Sequence, residues 1–222
     1  MSILFALVTF LLFITISYIR SMRLHPAQVA QGPRLAKSWQ PQLVDGGGFN
    51  IPKNFSFHVG HTWAVAEDKQ RARVGLDSFA ANLLGSVDSI EMPGLNRWVR
   101  QGQKVCKVRC GETTVELVAP VEGIVVAVNS KLRDDPGLAI RDPYGEGWLF
   151  SVHSPELSIN LKNLLRGGLV HAWMRNSIER VAALAAGVAP ALAQDGGLPV
   201  AGLLNQVDAA LQHKMINEFF LG

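Results

Sequence analysis

Cys106 and Cys110 are the only thiols in the chain, and their C-x-x-x-C spacing raises a metal site or a disulfide first. A zinc site needs two more ligands nearby, and none is evident. If both cysteines lie on one extended strand, their Cα atoms stand about 13 Å apart. A disulfide needs under about 7 Å. Two reduced thiols in or near a sheet are therefore expected. His58 and His61 have H-x-x-H spacing. On a strand, an offset of three points side chains to opposite faces, so they make poor joint ligands. No Ser/His/Asp set, paired carboxylates in context, Gly-rich phosphate loop or metal-ligand cluster is legible. The expectation is a protein that is not an enzyme and holds no metal or cofactor. A net charge of +3, with no Lys/Arg run interleaved with aromatics, argues against nucleic acid as a partner.

The elements that would position any site centre on Gly102 to Asn129. This stretch reads as strand, tight turn, strand, turn, strand. Val105, Val108, Val115, Leu117, Val121, Val125, Val126 and Val128 are β-formers, and Gly111, Pro120 and Gly123 break the runs. Before it, Phe55 to Phe79 alternates well enough for two strands joined at Glu67 to Gln70. Asp77 then suits an N-cap, Phe79, Ala80, Leu83 and Leu84 form a helical face, and Gly85 suits the end. After it, Pro143 and two glycines predict a rigid turn, with Trp148 and Leu149 plugging the core. Glu156 to Leu165 reads as a helix.

At the N-terminus, Ile3 to Ile19 is apolar apart from a few hydroxyls and carries no charge. Its length in helix, about 25 Å, is near the lower limit for spanning a bilayer. Tyr18, Arg20 and Arg23 are the expected membrane-interface residues. A cleaved signal peptide would carry positive charge before the apolar run, and here none precedes it. A retained single-pass anchor is expected instead. Because Arg20, Arg23, Arg34 and Lys37 all follow the helix, the N-terminus is expected outside and the remainder on the cytoplasmic side of the inner membrane. Met22 to Asn54, broken by four prolines and Gly46-Gly47-Gly48, reads as a tether. Trp39 and Leu43 are its candidate partner contacts. Packing back onto the chain's own domain is the alternative.

At the C-terminus, Ser177 to Ala193 carries a broad apolar stripe. Pro199 suits the first position of a final helix. There Leu204, Val207, Leu211, Met215 and Phe219 recur at helical spacing. A stripe does not say what covers it. Packing on the chain's own domain and binding a partner both remain open, and these five are the candidate contacts in the second case.

Several strings carry a family resemblance. His61-x-Trp63, the helix ending Leu84-Gly85, Met92-Pro93-Gly94, and Ala119-Pro120-Val121-x-Gly123 occur in order. So do Asn129-x-x-Leu132 and Pro143-Tyr144-Gly145-x-Gly147-Trp148-Leu149. Together they resemble the H protein of the glycine cleavage system, a relative of lipoyl and biotinyl domains. The resemblance implies a mainly β (α+β) fold, a flattened β sandwich of hybrid-barrel type with short helices. The expected organisation is an anchor (1–21), a tether (22–54), an H-protein-like domain (55–181) and a C-terminal helical pair (182–222). In that family a hairpin tip of the form Glu-Ser-x-Lys carries lipoate on the lysine. Counting back from Ala119-Pro120, the tip here is Arg109-Cys110-Gly111-Glu112, and Glu112 occupies the lysine position.

A glutamate cannot form the lipoyl amide. The expected function is therefore a non-catalytic, membrane-anchored accessory or scaffold subunit. Its partners would be the bilayer and other subunits of a larger membrane complex, of the respiratory or photosynthetic electron-transfer kind. The alternative is a membrane-tethered carrier modified at Lys104 or Lys107.

Overall fold

In the computed structural model the described residues are 14–15, 43–45, 48–186 and 199–221. The chain divides into two compact units, Met1–Ser38 and Trp39–Gly222. Of the first, only Ile14 and Thr15 are described, both helical. The rest of the expected anchor, with Tyr18, Arg20 and Arg23, lies outside the described residues, as do Trp39 and most of the tether. Among the described residues, no helix is long and apolar enough to cross a membrane.

The second unit is sheet-rich with short helices. Strands β1 (Leu43–Asp45) and β2 (Asn50–Pro52) form a small antiparallel ribbon. Then come β3 (Ser56–Phe57), β4 (Thr62–Ala66) and β5 (Arg71–Leu76), followed by helix α1 (Ser78–Leu84). Strands β6 (Ser89–Glu91), β7 (Trp98–Val99), β8 (Lys104–Cys110), β9 (Thr113–Val118) and β10 (Gly123–Val128) follow. Two one-turn helices, α2 (Lys131–Asp134) and α3 (Leu138–Arg141), lead to β11 (Phe150–His153). Helices α4 (Leu157–Lys162), α5 (Gly168–Ala186) and α6 (Ala209–Phe220) close the chain. A six-stranded sheet has the order β3-β4-β5-β11-β10-β7, and a three-stranded sheet the order β6-β8-β9. All pairs are antiparallel.

Trp63 explains much of the packing. It is fully buried on β4, and Phe55 meets it edge-on with centroids 4.7 Å apart. Its indole N–H faces the carbonyls of Leu76 and of Pro143, the latter at 3.1 Å. Gly75, its neighbour on β5, has no room for a side chain: a Cβ there would lie 2.3 Å from the indole. Tyr144 buries its ring against Phe55 and accepts the Ser78 N–H at 3.0 Å. The turn string thus ties the second half of the chain to the first. Trp148 and Leu149 fill the core to different depths. Leu149 is fully buried, while Trp148 is half-buried, packed against the core, with the Arg73 guanidinium over its ring at 4.8 Å.

The helices follow the sequence unevenly. Asp77 caps α1 as expected, accepting the Ala80 N–H at 2.7 Å, and Gly85 ends it with φ 72°. Helix α5 starts at Gly168, well before the expected Ser177; its predicted end at Ala193 lies outside the described residues. The final helix starts at Ala209, not Pro199. Gly202, at φ 72°, and a 3-10 turn at Leu203–Asn205 intervene, and Asp208 caps α6 by accepting the Leu211 N–H at 2.9 Å.

Candidate functional site

The site is the tip of the β8–β9 hairpin. Alternation along β8 turns Cys106, Val108 and Cys110 into the core and leaves Lys107 and Arg109 outside. On β9, Val115 and Leu117 face inward. The hairpin closes on the pair Cys110 and Thr113, so Gly111 and Glu112 form a two-residue loop. Gly111 adopts φ 61°, a conformation side-chain-bearing residues rarely take. No atom stands within 4 Å of where its Cβ would be, so the requirement comes from the backbone and not from crowding. Glu112 is exposed.

Two residues far away in sequence brace this loop. The Asp88 carboxylate accepts the Gly111 N–H at 2.6 Å, and the Asp88 N–H donates to the Arg109 carbonyl at 2.8 Å. On the other flank, the Gln212 amide donates to Thr113 Oγ1 at 2.5 Å and to the Leu204 carbonyl at 2.8 Å. Helix α6 therefore lies beside the hairpin. Neither brace was legible in the sequence. The partners are 23 and 99 residues apart, and an isolated Asp or Gln carries no local signal.

The candidate partner contacts at the C-terminus are corrected by this packing. Leu204, Leu211, Met215 and Phe219 are buried in the domain's own core, and Val207 packs partly against it. The stripe is covered by this chain because a lone amphipathic helix gains more from continuous burial on an adjacent apolar face than from solvent. The backbone of Leu43 pairs with Pro52.

The two lysines considered as substitute carriers lie on the strand, not at its apex. Lys104 Nζ is 3.3 Å from Glu116 Oε2. Lys107 sits mid-strand, between Glu91 on β6 and Glu116 on β9. The cysteines share one strand, as expected, and both are free and buried. Burial pushes the Cys106 thiol far up. Burial, then the nearby Asp88 charge, pushes Cys110 up to about 12. Burial thus favours the protonated form of both thiols, the opposite of what activates a nucleophilic cysteine.

His58 and His61 were expected on one strand. They instead bound a tight turn between β3 and β4, in which the His61 N–H donates to the His58 carbonyl at 3.0 Å and His61 takes φ 57°. The buried His61 ring is sandwiched between Phe79 and Trp173, with centroids at 4.2 and 4.5 Å. Its Nδ1 lies 2.7 Å from Asp77 Oδ2. His58 accepts the Gly60 N–H on Nδ1 at 3.1 Å. Desolvation, then the neighbouring His61, holds the pKa of His58 below the usual histidine value. Each imidazole is thus committed to the turn. Among the described residues no group of three or more His, Cys, Asp or Glu is placed to hold a metal ion.

An exposed two-residue tip on a braced hairpin, followed by the Ala119-Pro120-Val121 turn into β10, defines a lipoyl-type domain. The model of the family "Glycine cleavage H-protein" matches residues 55–177, over half the chain, and the chain belongs to that family. The glycine cleavage system H protein of Thermus thermophilus is 36% identical over 119 residues, covering 54% of this chain and 91% of that protein. Its counterpart in Corynebacterium jeikeium is 38% identical over 110 residues, covering 48% and 86%. A crystal structure of a glycine cleavage system H protein from Mycobacterium marinum is similar with a TM-score of 0.50 and 31% identity, covering 55% of this chain and 97% of that one.

Proposed function

We propose that this protein is a non-catalytic, membrane-anchored accessory subunit that docks within a larger membrane complex through an H-protein-type domain lacking a lipoyl arm. One observation carries this reading: an exposed Glu112 stands at the hairpin tip where the family resemblance places the lipoyl lysine. A carboxylate cannot form the lipoyl amide, while the hairpin beneath it is complete. The buried thiols and the committed histidines supply no substitute chemistry. The apolar run Ile3 to Ile19 supplies the anchor, and the arginines after it set the domain on the cytoplasmic side.

The test is native-gel migration of the tagged, full-length protein from gently solubilised membranes of its source. It should run in a large assembly, and Lys104→Arg with Lys107→Arg should leave that assembly and its activity intact. Charge persists in both, and exposed ion pairs contribute about 1 kcal/mol or less. Loss of activity with assembly preserved would favour a carrier using one of these lysines. Migration as a free monomer would remove the accessory role.

A further inference from the structure

Four large apolar side chains are exposed on one strip where β7 meets β10. Leu95 and Trp98 are 48% and 47% exposed, and Ile124 and Val126 are each 37% exposed. Trp98 stands opposite Ile124 in the strand pair. The bonds from Asn96 N–H to Val125 O and from Val125 N–H to Arg97 O, both 2.9 Å, continue the pairing, which brings Leu95 alongside Val126. On β10, Val125 and Ala127 face inward while Ile124 and Val126 face out. Outward positions on a solvated sheet face are normally polar. Here they are β-branched hydrocarbons next to an indole. The strip runs on into a groove of about 520 Å³, lined by Ile90, Met92, Leu95, Val128 and Leu132 among others.

The charges around the strip are uneven. Arg97 and Arg100 bracket Trp98 in sequence and are both exposed. Among the described residues neither has an ion-pair partner. Beyond Ile124 the same row continues through His153 to Arg71. Arg133 lines the groove. Asp88, also in the groove lining, is occupied with the Gly111 N–H. The groove therefore reaches the residue that braces the hairpin tip.

We propose that this strip and groove form a docking surface for an acid-bearing amphipathic segment of a partner protein. Its apolar side chains lie along Trp98, Ile124 and Val126, one of them enters the groove, and its carboxylates meet Arg97 and Arg100. Contiguous exposed apolar surface marks interaction sites, and Trp and Arg are among the residues enriched at their energetic centres. Guanidinium groups bind carboxylates through two parallel hydrogen bonds, which fixes the register of such a segment. This surface rests on the docking reading above and names the chemistry of the partner.

The test places a benzophenone-bearing phenylalanine analogue at position 98 of the full-length protein and irradiates native membranes. Cross-linked peptides are then sequenced. The expected adduct is a segment of another protein with interspersed apolar and acidic residues. Arg97→Glu with Arg100→Glu should cut its yield at least five-fold, and Lys162→Glu, on α4, should not. If the paired Glu variant lowers the melting midpoint, Arg97→Gln with Arg100→Gln decides the matter and should still cut the yield. Adducts only to lipid, only to a second copy of this chain, or none at all would overturn the proposal. So would a yield indifferent to both arginine pairs. Each of these results leaves an unmodified tip untouched. A lipoyl adduct on the protein would instead remove the docking reading itself.

Discussion

The turn at residues 142–149 and the hairpin tip at residues 111–112 differ in what fixes their side chains. The turn keeps the family string, and several of its residues are embedded. Tyr144 and Leu149 are buried, and the Pro143 carbonyl takes the Trp63 indole. A Cβ on Gly147 would lie 2.4 Å from the Leu138 carbonyl. At the tip, only backbone is constrained: Gly111 must hold its positive φ and its N–H must meet Asp88. The Glu112 side chain carries no packing. Core contacts tie residue identity to stability, while an exposed apex leaves it free. On the reading proposed above, the fold tolerates Glu112 where the family resemblance places the carrier lysine.

The contrast breaks first if the embedded part is not the stabilising part. Deleting residues 209–222 removes Leu211, Met215, Phe219 and Phe220 from the core. Each such side chain is worth about 1.5–3 kcal/mol, so the deleted set is comparable to the whole stability of a domain, about 5–15 kcal/mol. The shortened protein should lose its cooperative urea transition. A retained transition near the original midpoint would show that α6 is peripheral, which would return its stripe to the pool of partner contacts.

Asp77→Ala should cost about 2–4 kcal/mol. It removes the α1 cap, worth about 1 kcal/mol, and leaves the buried His61 nitrogen unpaired, a further 1–3 kcal/mol. Equilibrium denaturation measures this, and a cost below about 1 kcal/mol would mean that the His61 turn is not held by that carboxylate.

At the tip the forecast is small. Asp88→Ala should cost about 0.5–1.5 kcal/mol, the usual net worth of one hydrogen bond. Its signature should be faster amide exchange at Gly111, with the Trp63 and Leu149 amides unchanged. Faster exchange throughout the domain would place the tip within the cooperative core and dissolve the distinction between the two regions.

The parts legible in the sequence were those with local signals. Gly111, Pro120 and Gly123 punctuated the three central strands correctly, and Asp77 and Gly85 marked both ends of α1. The Glu112 tip followed from counting back along the resembling string. Long-range relations were not legible. Alternation around His58 and His61 read as strand because it cannot register a left-handed backbone; the ring partners that hold His61, Phe79 and Trp173, come from later elements. Gly167 and Gly168 carry no helix-starting signal, yet Gly168 opens α5 directly after Gly167 at φ 57°. The stripe of α6 was visible, but what covers it, such as His61 and Phe79 against Phe219, comes from much earlier elements.

The central claim is that an intact carrier-type hairpin here carries no arm. It is tested most directly by the intact mass of the full-length protein purified from its native membranes, followed by peptide mapping across residues 102–129. The account predicts the unmodified polypeptide mass over this stretch, with Lys104, Lys107 and Glu112 unaltered. A lipoyl adduct on Lys104 or Lys107 would contradict it.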